Sequence, residues 1–90
     1  MDLPVSVEST ASLRSGLRRT GWTTNQLWIA AIGIGGQLLH EDIEDIAAGA
    51  RPATPAEHDV LAAALNDYSV DHGQDHPIAS WRQLEDDQPR

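Results

Sequence analysis

The chain has 90 residues, 40% of them hydrophobic, which is room for one small domain and too apolar a composition for a wholly disordered one. It contains no cysteine, so disulfides, zinc fingers and thiol catalysis are excluded. Fourteen Asp and Glu against six Arg and no Lys leave a net charge of −8, a field that repels phosphate backbones and anionic lipid.

Residues 1–9 alternate Leu3, Val5 and Val7 with polar residues, but Pro4 and the terminal position favour an unordered arm over a strand. Thr10 is placed to cap a weak helix over 10–20, with Leu13 and Leu17 one turn apart as its apolar stripe and Gly21 as its stop. The second helix, 23–33, opens on a capping box of Thr23 and Gln26. Its run Leu27-Trp28-Ile29-Ala30-Ala31-Ile32 is apolar on every side, the pattern of a helix central in its bundle or shared with another subunit. A buried strand would also suit Trp28 to Ile34; Gly33, Gly35 and Gly36 end the element in either case.

The third helix should run over 38–48, burying Leu39, Ile43 and Ile46 and covering its other sides with Glu41, Asp42, Glu44 and Asp45, before Gly49 caps it. The fourth, 55–71, has the clearest start: Thr54 as cap, Pro55 in the first turn, and Glu57 closing the box. Leu61, Ala64, Leu65 and Tyr68 form its inward stripe, and Gly73 and Pro77 forbid extension. Ser80 and Gln83 can cap a short helix over 80–86 that lays Trp81 across the bundle. The expected fold is all-α: three main helices, a weak helix before them and a short one after. By segment, 1–22 is an arm, 23–72 the helical core and 73–90 a polar carboxyl-terminal piece.

The opening Met1-Asp2-Leu3-Pro4 lacks the basic and apolar regions of a signal peptide, and the longest apolar run, Leu27 to Ile34, is too short to span a bilayer. A soluble cytoplasmic protein is the expectation. Charge is uneven along the chain: residues 1–36 carry Asp2 and Glu8 against Arg14, Arg18 and Arg19, a net of +1, and the other 54 a net of −9. Any anion-binding surface therefore belongs to the amino end.

Four constellations bear on function. His40 and Glu44 stand one helical turn apart, and Asp71-His72 recurs as Asp75-His76; such pairs suit zinc, manganese or iron, but spacing fixes only two ligands in each. Glu57-His58-Asp59 groups three titratable residues that helical geometry points about 100° apart, so they cannot converge on one substrate. No phosphate-cradling glycine loop follows a strand, and no cofactor or enzymatic activity is expected. Three Trp exceed what so small a core needs, and Trp is enriched where proteins meet. Trp22, Trp28 and Ile32, with Arg14, Arg18 and Arg19 at one end, are the expected contact surface, and Trp22 is the indole expected to be most exposed.

Ile43-Glu44-Asp45-Ile46, then Gly49-Ala50-Arg51-Pro52, then Leu61 to Leu65 resembles the closing part of a phage-repressor-type helix-turn-helix domain. That resemblance implies a DNA-binding regulator, with Arg14, Arg18 and Arg19 left to meet phosphates. Yet the helix such a family sends into the major groove carries Glu41, Asp42, Glu44 and Asp45 here, and no basic side chain. Leu27-Trp28, Gly35-Gly36, Ile43-Ile46-Gly49 and Glu57 through Asp67 look similar to small helical proteins of actinobacteria, a likeness that implies a bacterial setting and no particular activity. The function expected is therefore a non-enzymatic regulatory or adaptor protein acting through a partner protein or a second copy of itself. A DNA-binding regulator and a metal-binding helical protein are the alternatives.

Overall fold

The computed structural model describes residues 4–73 and 77–87, and among these there are five helices and no strand. In chain order they are α1 (Val5–Thr20), α2 (Thr24–Gly33), α3 (His40–Ala48), α4 (Pro55–Asp71) and α5 (Trp81–Asp86). The all-α class and the expected helix order hold. Helix α4 is the hub: α1, α2 and α5 all pack on it, while α2 and α1 also pack on α3.

Local chemistry explains most boundaries. Thr23, Thr54 and Ser80 each accept a hydrogen bond from the amide three residues on, and Gln26, Glu57 and Gln83 reach back to the cap amides. Helix α3 starts two residues later than the expected 38. Leu38 is buried ahead of the helix, and the Leu39 amide donates to Asp42 Oδ2 at 3.0 Å, so a carboxylate inside the first turn fixes the start at His40. Leu39 is consequently exposed rather than part of the buried stripe. Gly49 ends α3 in the left-handed region at φ 77°, a conformation in which a Cβ is strained.

Helix α1 departs most from expectation. It begins at Val5, with Pro4 in the cap position, and Thr10 is an interior residue whose hydroxyl donates to the Ser6 carbonyl. The face it buries is Ser9, Leu13 and Gly16. Small side chains let α1 lie close to its neighbours: a Cβ on Gly16 would collide with the Ile78 Cδ1 methyl and stand 3.3 Å from Leu65 Cδ1. The division into arm, core and tail is not reflected in the packing. One buried cluster takes Leu13 from the first segment, Leu27, Ile43, Ile46, Leu61 and Leu65 from the second, and Ile78 from the third.

Two polar ties lock this cluster. His58, wholly buried on α4, has Nδ1 2.6 Å from Ser9 Oγ on α1 and Nε2 2.7 Å from the Ala79 carbonyl. A carbonyl only accepts, so Nε2 carries the hydrogen, and the Ser9 hydroxyl donates to Nδ1 of the neutral ring. Asn66 extends the tie by pairing with both the amide and the carbonyl of Ile78, and the Trp81 amide donates to Asp59 Oδ1. The second tie is Arg51. Its guanidinium holds both Glu57 oxygens, at 2.9 and 3.0 Å, and lies 3.2 Å from Asp42 Oδ1, so one cation joins the carboxylates that open α3 and α4.

Candidate functional site

Helix α2 bears on function because its composition and its burial disagree. It is apolar from Leu27 to Ile32, yet its only buried residues are Leu27 and Ala31. At about 100° per residue, the side opposite these two carries Asn25, Ile29 and Ile32, and all three are exposed, Ile29 at 58% and Ile32 at 46%. Ile34 and Leu39, in and after the following turn, are exposed as well. Four of the six exposed large hydrophobic residues among those described therefore fall between positions 29 and 39. No charged side chain occurs from Thr20 to Leu39.

The seam between α2 and α3 is built from Thr24, Trp28, His40 and Glu44. Trp28 Nε1 donates to the Leu38 carbonyl at 3.0 Å, and its indole lies against the His40 ring with centroids 5.6 Å apart. His40 Nε2 is 3.2 Å from Glu44 Oε1, and the Thr24 hydroxyl donates to that same oxygen. Beyond the seam, the outward side of α3 carries Glu41, Asp45 and Ala48, all exposed. An apolar ridge on α2 and an acidic ridge on α3 thus lie side by side across a polar seam.

The expected contact residues separate into two places. Arg14, Arg18 and Trp22 line an open concavity of about 640 Å³ with Leu17, Gly21 and Ala47; Trp28 and Ile32 do not line it. Trp22 is half-buried, as are Trp28 and Trp81, and its ring meets Tyr68 edge-on with centroids 5.0 Å apart. Arg19 is exposed and donates to Ser15 Oγ at 3.1 Å. Sequence reasoning does not single out Ile29 or Ile34 as contact residues and places Leu39 on the buried side of α3, although the uniform apolarity of 27–32 already implies that some of α2 must face outward.

The remaining constellations resolve into structural roles. Glu57, His58 and Asp59 turn to three different partners, namely Arg51, Ser9 with Ala79, and the Trp81 amide. Arg51 holds the Glu57 carboxyl below the usual carboxylate range, helped by the Thr54 amide, while burial works the other way. Contacts with Glu57 and Asp42 push the Arg51 guanidinium further up, against the opposing effect of burial. The Ser9–His58 pair has the hydroxyl-to-imidazole contact of a nucleophilic dyad, but both side chains are fully buried and meet no solvent. Among the described residues no three His, Cys, Asp or Glu gather as a metal site. His72 stacks on Tyr68 with centroids 3.8 Å apart, and its Nδ1 lies 2.9 Å from the Tyr68 carbonyl; His76 lies outside the described residues. No helix among the described residues is long and apolar enough to cross a membrane. No known protein family, curated protein or solved structure matches this chain.

Proposed function

We propose that this chain is a non-enzymatic regulatory or adaptor protein of the cytoplasm that works by holding another protein against the outer face of α2. The observation that carries this reading is the exposure of Ile29 and Ile32 on a helix that is apolar all round. Fully burying an exposed side chain of this size contributes about 1.5–3 kcal/mol, and because these two are each about half exposed, a partner that covers both gains about that much in all. Patches of this kind, rimmed by polar groups, mark interaction sites.

The order of α2, turn, α3, Gly49 and α4 favours the DNA-binding alternative, but the exposed side of α3 opposes it. Glu41, Glu44 and Asp45 stand where a groove-reading helix must meet a polyanion.

Native mass spectrometry of the chain recovered gently from its own host tests the reading. Wild type should carry a protein partner or a second copy, and the double variant Ile29→Glu/Ile32→Glu should lose it while keeping its helical circular dichroism. Wild type and variant that are equally monomeric and partner-free overturn the proposal. A steeply salt-dependent DNA complex lost on neutralising Arg14, Arg18 and Arg19 would put the alternative in its place.

A further inference from the structure

The face that α2 leaves open does not end at its apolar ridge, and its neighbour constrains what covers it. Across the Trp28–His40 seam lie Glu41 and Asp45, exposed and one turn apart on α3. Among the described residues neither carboxylate has an ion-pair or side-chain hydrogen-bond partner, whereas Asp42 on the same helix is taken by Arg51. Like charges at this spacing repel each other, a small standing cost that a facing cation removes. Arg51, the basic residue nearest to them in sequence, is spent on Asp42 and Glu57, and among the described residues neither Arg14 nor Arg18, which line the concavity with Trp22 and Ala47, forms an ion pair with Glu41 or Asp45.

We propose that the partner of this face is an amphipathic segment whose apolar stripe covers Ile29 and Ile32 and whose flanking Lys or Arg side chains pair with Glu41 and Asp45. This rests on the reading of α2 as a contact face and specifies the chemistry of what it contacts. A basic amphipathic helix laid along a groove or ridge is a recurrent way of meeting such a surface, with apolar anchors giving affinity and charge setting orientation. A second copy of this chain meets the apolar half but not the acidic half. At a net charge of −8, and with the same acidic ridge beside its own α2, it would bring carboxylates toward carboxylates.

The test uses the full chain and three synthetic 18-residue helical peptides sharing one leucine stripe, with polar positions filled by Lys, Gln or Glu. Isothermal titration should show the Leu/Lys peptide binding, with an affinity that falls as salt rises, and the Leu/Glu peptide not binding. Glu41→Gln/Asp45→Asn should weaken the Leu/Lys complex by roughly five- to tenfold, the scale of two surface ion pairs. Asp67→Asn/Asp71→Asn, which removes the same charge from α4, should change it less than about twofold. Equal weakening by both pairs means attraction to bulk negative charge and overturns the proposal. A chain that dimerises through Ile29 and Ile32 and excludes the peptide overturns it too, while leaving the contact reading intact. A monomer that binds none of the peptides, with Ile29→Glu/Ile32→Glu behaving like wild type, overturns both.

Discussion

Glu57 makes three contacts that all need its negative charge or its acceptor oxygens. It accepts from the Thr54 amide to start α4 and takes a two-pronged hold from Arg51, which also reaches Asp42. Because the folded carboxyl sits below its ordinary value, the unfolded chain takes up this proton first as pH falls. The stability it contributes is complete above the ordinary carboxylate range and is lost as pH drops through that range to the lowered folded value. Glu57→Gln keeps an acceptor for the cap and removes the ion pair. It should cost about 1 kcal/mol at neutral pH, in line with a partly exposed two-pronged pair, and flatten the acid limb of stability against pH. Urea unfolding repeated from pH 7 to pH 3 checks both. The capping half of this residue was legible in the spacing Thr54 to Glu57. The clamp was not, because Arg51 precedes the helix in a loop and nothing in the spacing says where its long side chain lands.

At the scale of elements, α1 teaches that a buried face need not be an apolar one. Counting large hydrophobic residues finds Leu13 and Leu17 and reads a marginal helix. The face that docks is Ser9, Leu13 and Gly16, whose virtue is smallness. Gly16→Ala should therefore destabilise the protein by about 1–3 kcal/mol through overpacking, although alanine is the better helix former by about 1 kcal/mol. Removing the obstructing methyl with Ile78→Val should recover part of that loss in the double variant, and thermal melts of the four-member cycle measure the coupling. The boundaries of α2, α4 and α5 were legible because each has a hydroxyl cap and a polar residue three positions on. The start of α3 was not, since its cap is a leucine whose amide is served from inside the helix.

Across the whole molecule, core and contact face are separable. Leu61 lies at the centre of the buried cluster, and Leu61→Ala should cost about 2–5 kcal/mol of unfolding free energy in urea titration. At temperatures where the variant remains folded, its association should match wild type, the converse of charge placed at Ile29 and Ile32. The site was half legible in the sequence: an all-round apolar helix in so short a chain implied an outward apolar face. Which residues lie on that face depended on the direction in which α2 leans on α4 and α3, and spacing alone is silent on that. The sequence groups Arg14, Arg18 and Trp22 with Trp28 and Ile32, but in the fold those three line a separate concavity with Gly21.

The imidazole of His58 is shared between Ser9, 49 positions earlier, and Ala79, 21 positions later. During synthesis, which proceeds at about 5–20 residues per second, some one to four seconds separate the appearance of that ring from the appearance of its last acceptor. Any fold completed in that interval either leaves the ring wet or seals an unsatisfied N–H inside, at a cost of about 1–3 kcal/mol. The helices can form as they emerge, but their closure around His58 waits for residue 79. A nascent chain of this protein therefore cannot seal its core around His58 before residue 79 has been made.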